Sequence, residues 1–359
     1  MPCRFARSAI GLRLLFLTAC TLFIAARTPT AAAPYENIRI DVNRAGKVSA
    51  GTTAFMDTTS PSHPRIVEID MQGNLVWDYP ITPEIFGGGV ISGAAIKGTD
   101  LEWIPANDRF LFVLTGIGVF EVDRAKNIVW KHLTKKISHD ADRLPNGNTL
   151  YVWGWDGKED AQATEVDPSG KVVWQWFAKD HLRRDPPQRQ YQEHAPSYTH
   201  CNAAVRLPNG HTMISLRNFN VVVQVNPNGE IVWRLPQQNL VHDPLPMPGR
   251  NVLISTRNPH RTVEFTRWHE EVWSFERDDV ATVRGHQRLP NGNLLITERT
   301  KILEVTRDKE VVWQMALKGV SWTEEVKMAG AQRGKGPRGS GTGAKDQWLY
   351  KAVRLPPKN

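Results

Sequence analysis

The segment AVRLPNGHTMISLRNFNVVVQVNPNGEIVW, residues 204–233, carries the pattern that decides the fold. It contains two Pro-Asn-Gly turns, and each turn joins two short runs in which apolar and polar residues alternate. Alternation bounded by such turns is typical of antiparallel strand–turn–strand units. Four strands in about 40 residues is the size of one blade of a β-propeller.

The same pattern recurs along the chain. A Val-Trp or closely similar pair closes each unit, at Trp77, Trp130, Trp174, Trp233, Trp273 and Trp313. In the third unit we expect strands at roughly 139–144, 149–154, 163–167 and 171–176. The sequence therefore predicts an all-β, six-bladed propeller of four-stranded blades, in which the repeated tryptophans pack between blades.

The two ends of the repeat are complementary. Residues 352–357 (AVRLPP) resemble residues 204–209 (AVRLPN) and read as a first strand that no second strand follows. Residues 51–57 read as a second strand with no first strand before it. We therefore expect the C-terminal strand to join the N-terminal blade and close the ring, which removes two free sheet edges.

The first 33 residues have the form of a secretory signal peptide. Basic residues precede a short apolar run, and small residues follow it at Thr30–Ala33. Residues 34–359 then form a single propeller domain, exported to the periplasm or secreted, without a membrane span. Residues 17–20 (LTAC) also resemble a lipoprotein cleavage box, but the apolar run continues beyond Cys20, so a lipid anchor there is the less favoured expectation.

The formal charge of +8 does not indicate a nucleic-acid-binding face. Four arginines lie in the predicted leader, and residues 328–345 form a Gly-rich basic segment that we expect to be a flexible loop. The remaining chain is close to neutral, so no basic surface that would follow phosphates is predicted. Cys201 is the one cysteine after the leader, which excludes an internal disulfide in the mature chain. We expect it to be a small buried residue.

Histidines begin the predicted first strands of three successive blades. They are His139, His200 and His242, and Arg284 takes the matching place in the sixth blade. In a four-stranded blade the start of the first strand and the end of the second lie on one face. Residues at second-strand ends include Arg217, Arg257 and Asn258. The topology therefore predicts a funnel that collects imidazoles and guanidiniums.

These residue types permit more than one chemistry. Neutral imidazole is a good nucleophile near neutral pH, and guanidiniums bind anionic groups. Transfer of a sulfuryl or phosphoryl group through a histidine fits both parts. A three-histidine metal site is an alternative, although adjacent arginines would repel a cation. An exported propeller that binds a ligand or a partner without catalysis is another.

At these residues the chain resembles the bacterial arylsulfotransferase family of six-bladed propellers. The resemblance rests on residues 139–148 (HDADRLPNGN), 199–203 (THCNA) with 215–218 (SLRN), and 241–244 (VHDP). It implies transfer of a sulfuryl group from a phenolic sulfate ester to a phenol through a sulfohistidine. Neither a nucleotide donor nor another cofactor is implied, and the sequence has no P-loop motif.

The resemblance also implies roles for single residues. His242 corresponds to the nucleophile, while His139, His200 and Arg217 correspond to the residues that bind the sulfuryl group and exchange protons. Asn202, Arg257 and Asn258 are expected to support them, and no metal ligand is expected. The predicted partners are therefore small molecules, an aryl sulfate and a phenol.

Overall fold

The computed structural model describes residues 33–60, 63–89, 91, 93–96, 98–182, 197–257, 259–280, 282–319 and 349–357. Nearly all of the predicted leader, the whole of the predicted loop 328–345, and Asn258 lie outside these residues. No helix within the described ranges is long and apolar enough to cross a membrane.

The described residues form six antiparallel sheets, each containing the four strands expected of one blade. Blade 1 contains β2 (Thr52–Asp57), β3 (Arg65–Ile69), β4 (Leu75–Pro80) and β25 (Ala352–Leu355). Blade 2 contains β5 (Leu101–Ile104), β6 (Arg109–Leu114), β7 (Gly118–Val122) and β8 (Ile128–Leu133). Blade 3 contains β9 (Ser138–Arg143), β10 (Thr149–Val152), β11 (Ala163–Val166) and β12 (Val172–Trp176).

The second half of the chain repeats this plan. Blade 4 contains β13 (Cys201–Arg206), β14 (Thr212–Leu216), β15 (Val221–Val225) and β16 (Ile231–Leu235). Blade 5 contains β17 (His242–Pro246), β18 (Val252–Arg257), β19 (His260–Phe265) and β20 (Glu271–Phe275). Blade 6 contains β21 (Val283–Arg288), β22 (Leu294–Glu298), β23 (Lys301–Val305) and β24 (Val311–Leu317). The six innermost strands contact one another in a closed ring, which confirms the predicted six-bladed propeller.

Among the described residues, helical structure is confined to short segments between strands. The α-helices are α1 (Gly93–Ile96) and α2 (Ala178–His181), and the 3₁₀ turns are Pro83–Phe86, Arg217–Phe219 and Pro248–Arg250. The turn at Arg217–Phe219 follows β14 and lies at the end of the second strand of blade 4, where the sequence places part of the funnel.

The C-terminal strand closes the ring as expected. Strand β25 pairs with β2 from Ala352↔Phe55 to Leu355↔Thr52. Gly51, which precedes β2, has a φ of +136°, and a Cβ atom there would lie 1.8 Å from the carbonyl oxygen of Leu355. The close approach of the two terminal segments therefore requires glycine at this position.

A second pairing between a terminal segment and a blade was not predicted from the sequence. Strand β1 (Ile38–Asn43) pairs with the outer strand β24 and makes blade 6 five-stranded. It covers Val312, which is fully buried, whereas the equivalent Val76 and Val272 on other blades are about half exposed. Both terminal segments therefore protect a sheet edge.

The repeated tryptophans pack between blades. Each of six indole N–H groups donates a hydrogen bond to a hairpin carbonyl of the following blade, at 2.8–3.0 Å. The donors are Trp77, Trp130, Trp176, Trp233, Trp273 and Trp313. In blade 3 the donor is Trp176 rather than the expected Trp174, whose ring lies under the guanidinium of Arg206 at 5.3 Å.

Candidate active site

The innermost strands contain bulges where they begin, at the funnel. In β9, Ser138 pairs with Val152 and Ala141 with Tyr151, so His139 and Asp140 form an insertion in the ladder. A bulge also falls at Arg284 near the start of β21, where the register shifts between Val283 and Gly285. His139 and His200 have φ angles of 58° and 50°, in the left-handed region that costs most side chains energy. The strand starts are therefore specialised for presenting side chains.

The structure brings the three predicted histidines and the predicted arginine together. The ring centroids of His139 and His200 are 5.1 Å apart. Nη1 of Arg217 lies 2.9 Å from Nε2 of His200. The charge of Arg217 also acts on His242 and His139. All four side chains are at least nine-tenths buried.

Hydrogen bonds define the tautomer of His242. Its Nδ1 lies 2.7 Å from the carbonyl oxygen of Leu240, which can only accept, so Nδ1 carries the proton. Its Nε2 lies 2.9 Å from Nη1 of Arg284, which can only donate. The Nε2 lone pair therefore points at the Arg284 guanidinium, next to where an anionic group bound by Arg284 would lie.

His200 has the same arrangement in the neighbouring blade. Its Nε2 accepts from Arg217, so its Nδ1 carries the proton and donates to Oγ of Ser197 at 3.0 Å. The side chain of Asn218 donates to the carbonyl oxygen of Ser197 at 2.8 Å, which holds that residue in place.

His139 differs because neither of its ring nitrogens makes a well-formed hydrogen bond within the described ranges, although the Gly98 backbone is close enough to raise its pKa. Its ring stacks on Tyr350 at 5.6 Å and contacts Trp155 at 5.8 Å. A Cβ atom at Gly98 would lie 2.9 Å from its Nδ1, and one at Gly154 would lie 2.5 Å from its Cδ2. Two glycines thus make room for an imidazole whose polar atoms remain available to a ligand.

All three imidazoles are kept neutral. Burial, then the charges of Arg284 and Arg217, lowers the pKa of His139 to about 3. Burial and the same two arginines hold the pKa of His242 well below its usual value. The pKa of His200 is also lowered, first by burial and then by Arg217. Neutral imidazole keeps the lone pair that a nucleophile or a base requires.

The guanidiniums of Arg217 and Arg257 both lie within range of the charge of Arg284. Burial and the charge of Arg284 lower the pKa of Arg217 to about 10. Burial and the charges of Arg284, Arg217 and Arg299 lower the pKa of Arg257 to about 9. Asn202, the other supporting residue predicted within the described ranges, donates from Nδ2 to the carbonyl oxygen of Val241 at 2.8 Å and so fixes the backbone beside His242.

Residues 39–248 match the sequence profile of the family described as Arylsulfotransferase (ASST). The match covers more than half of the chain and includes His139, His200, Arg217 and His242. The chain belongs to the arylsulfotransferase family. No curated protein matches the chain significantly.

Solved structures share the propeller fold with this arylsulfotransferase family member. A protein of unknown function from Bacteroides caccae is 17% identical over 74% of this chain and 93% of that one, with a TM-score of 0.52. The gluconolactonase XC5397 from Xanthomonas campestris is 10% identical over 82% of this chain and 90% of its own, with a TM-score of 0.53. At such low identity these similarities show the fold alone.

Tyr350 is a pocket residue of this arylsulfotransferase family member that the sequence analysis missed. The guanidinium of Arg284 lies 5.5 Å from its ring centroid, and each of the two side chains affects the pKa of the other. A signal was present, because residues 352–355 align with 204–207 and 141–144, which places Tyr350 level with Asn202 and His139. Trp155 and Ser197 gave no such signal, since they lie in loops that do not follow the repeat.

Beneath the imidazoles lies a ring of charged residues. Asp100, Asp140 and Asp243 each accept from a backbone N–H of the following blade, at Ala141, Ala204 and His286. Nζ of Lys351 lies 3.0 Å from both Asp100 and Asp140. Burial alone would lower the pKa of Lys351, but Asp100, Asp140 and Asp243 raise it well above its usual value. This ring ties the innermost strands of several blades together.

The side chains at this site do not favour the alternative of a three-histidine metal site. Among the described residues, the group of candidate ligand atoms that lie within 4.8 Å of one another comprises Asp100, Asp140 and Asp142, and it contains no histidine. The ammonium of Lys351 already contacts the first two. Nε2 of His200 and of His242 each face a guanidinium, which would repel a cation.

Proposed function

We propose that the protein transfers a sulfuryl group from an aryl sulfate to a phenol, with His242 as the nucleophile. The observation that carries this proposal is the protonated Nδ1 of His242, held by the carbonyl of Leu240 at 2.7 Å. It leaves Nε2 as the atom that carries the lone pair, next to the guanidinium of Arg284. Family membership supports a transferase. His200 has a similar arrangement, and His242 is preferred as the nucleophile because residues 241–244 carry the resemblance at that position.

In the first half of the reaction, the Nε2 lone pair forms the N–S bond as the S–O bond to the aromatic ring breaks. The bonding electrons leave with the phenolate oxygen, which takes a proton from water. Positive charge that develops on the imidazole is stabilised because Nδ1–H donates to the Leu240 carbonyl. Arg284 and Arg217 are positioned to hold the sulfuryl oxygens, where preorganised donors stabilise developing charge.

In the second half, the acceptor phenol attacks sulfur, the N–S bond breaks, and its electrons return to Nε2. We assign the phenol proton to His139, whose ring nitrogens are without partners in the described part of the chain, and its release to water restores the neutral imidazole. The low pKa of His139 rises when an anionic sulfuryl group is bound, because an opposite charge favours the imidazolium. The nearby guanidiniums also lower the pKa of the phenol.

The proposal is tested by incubating the purified protein with 4-nitrophenyl sulfate and phenol and following nitrophenolate release. We expect wild-type turnover to require an acceptor. His242→Ala should lose activity by about 10³-fold or more, as for other lost nucleophiles. If no phenolic donor is turned over by the wild-type protein, the transferase proposal is wrong, and a propeller that binds a ligand without catalysis replaces it.

A further inference from the structure

The candidate active site holds more positive charge than one sulfate ester needs. Arg217, Arg257 and Arg284 occupy the funnel ends of strands in blades 4, 5 and 6. Neither Arg217 nor Arg257 forms an ion pair with a carboxylate of the described residues. An aryl sulfate carries one negative charge, and the three histidines add none while they remain neutral.

Among the described residues, no carboxylate is one of the charges that act on Arg217 or Arg257. The pKa of Arg217 responds to Arg284 and Tyr350, and that of Arg257 responds to Arg284, Arg217 and Arg299. Removing unpaired charge from water is costly, so such a cluster is expected where a ligand supplies the opposite charge.

The three arginines lie at different depths. The side chains of Arg217 and Arg284 are buried and contact His200 and His242, where the sulfuryl group would react. Arg257 is half-buried, and its guanidinium makes no hydrogen bond or ion pair with the residues that the structure describes. It ends β18 opposite His260, and its charge acts on that imidazole. Arg257 therefore faces a more accessible part of the same pocket.

We propose that this pocket selects aromatic substrates that carry a carboxylate in addition to the reacting oxygen, and that Arg257 binds that carboxylate. The inference rests on the proposed function for the placement of the sulfuryl group at His242. With the sulfuryl group deep in the pocket, the aromatic ring extends outward and presents its second anionic group to Arg257. A guanidinium matches a carboxylate with two parallel hydrogen bonds, which gives specificity as well as affinity.

The proposal is tested by calorimetry with sulfonates, which lack the ester bond and cannot be turned over. The matched ligands are 4-sulfobenzoate, a dianion, and 4-carbamoylbenzenesulfonate, the monoanion of nearly the same shape. We expect the dianion to bind the wild-type protein about 10-fold or more tightly than the monoanion. Arg257→Gln should abolish the difference, and Arg257→Lys should keep part of it.

Arg250→Gln is the matched control. Arg250 is exposed and precedes the same strand, β18, at the end remote from Arg257. The Arg250→Gln substitution removes the same charge from the same blade and should leave the preference for the dianion unchanged. Equal affinity of wild-type protein for the two sulfonates, or a preference that survives Arg257→Gln, would overturn the inference.

Measuring turnover of two donors distinguishes failure of this inference from failure of the proposed function. The donors are 4-carboxyphenyl sulfate and 4-carbamoylphenyl sulfate, of which the carboxamide has the better leaving group. A higher kcat/KM for the carboxylate therefore reflects binding rather than intrinsic reactivity. Turnover of both donors at equal kcat/KM would refute the carboxylate preference while supporting sulfuryl transfer. Absence of turnover, with the dianion still bound preferentially, would refute sulfuryl transfer and leave the carboxylate site supported.

Discussion

Nε2 of His242 lies 2.9 Å from Nη1 of Arg284, a residue of the following blade. The proposed nucleophilic atom is therefore held by a group that can bind the anionic substrate. An entering sulfate oxygen can take the guanidinium hydrogen bond and release the Nε2 lone pair towards sulfur. The contact crosses a blade interface, so the geometry of the site depends on how blades 5 and 6 pack.

This contact predicts a pH dependence. Burial and the charges of Arg284 and Arg217 lower the pKa of His242, and only neutral imidazole can attack. The acid limb of kcat/KM should therefore lie well below pH 6.5, since this ratio reports ionisation in the free enzyme. Arg284→Gln removes a positive charge, so the His242 pKa should rise and move the limb upward by about one pH unit. An acid limb that does not move in Arg284→Gln would show that His242 ionisation does not limit the rate.

Lys351 should be important for stability. Lys351→Met leaves Asp100 and Asp140 buried without their cation, so we expect a loss of about 3 kcal/mol in the free energy of unfolding, measured with urea. The pKa of Asp100 is already raised, to about 7, first by burial. Without Lys351 it rises further, so the folded state binds a proton more tightly than the unfolded state. The loss in the free energy of unfolding should be largest above pH 7 and smaller at acidic pH.

The control for this variant is Lys158→Met, which removes an exposed lysine and should change stability by less than about 0.5 kcal/mol. The double variant Lys351→Met, Asp140→Asn should recover part of the loss, because the amide oxygen can still accept from the Ala204 N–H. Equal stability of Lys351→Met and wild type at pH 8 would contradict the role assigned to the charged ring.

Ring closure should be sensitive to residue 51. Gly51→Ala places a Cβ atom on the Leu355 carbonyl and should destabilise the protein by more than the roughly 1 kcal/mol expected of a backbone effect alone. Gly46→Ala is the comparison, since Gly46 also has a positive φ but has open space around it. Thermal unfolding of the two variants measures the difference. Similar melting temperatures would show that β25 does not approach β2 this closely.

Cys201 should be unreactive in the native protein. It is fully buried, and burial followed by the charges of Asp156 and Asp140 raises the pKa of its thiol well above its usual value. Because the thiolate is the reactive form, alkylating reagents should label it only after unfolding. Peptide mapping after labelling with and without urea measures this. Rapid native labelling would indicate that the pocket opens next to His200.

The repeat made the fold predictable. The Val-Trp pairs, the Pro-Asn-Gly turns and the unpaired strand at 352–357 each report local strand pairing, and the blade count follows from them. Strand β1 escaped prediction because it lies outside the repeat, and its pairing with β24 spans nearly the whole chain. In blade 3, pairing of Val166 with Val172 and of Ala163 with Trp176 extends β12 to a second indole. Trp176 donates the hydrogen bond to blade 4, while Trp174 still packs at the interface under Arg206.

The site was predictable only in part. His139 and His242 each lie nine residues before the residue that follows the first turn of their blade, Asn148 and Asn251. His200 lies eleven residues before His211, and sequence alone could not interpret this difference of two residues. Bulges at the strand starts absorb such differences, and their positions depend on the partner strand. The contacts of His242 with Arg284 and of His139 with Tyr350 cross blade interfaces, so no local pattern could indicate them.

The central claim is that His242 accepts the sulfuryl group, and mass spectrometry of the protein treated with an aryl sulfate in the absence of acceptor tests it most directly. We predict a mass gain of one SO₃ group, localised to the peptide that contains His242 and lost again when a phenol is added. His242→Ala should show no gain. A wild-type protein that turns over the donor without modification of His242, or with the group on another residue, would contradict the account.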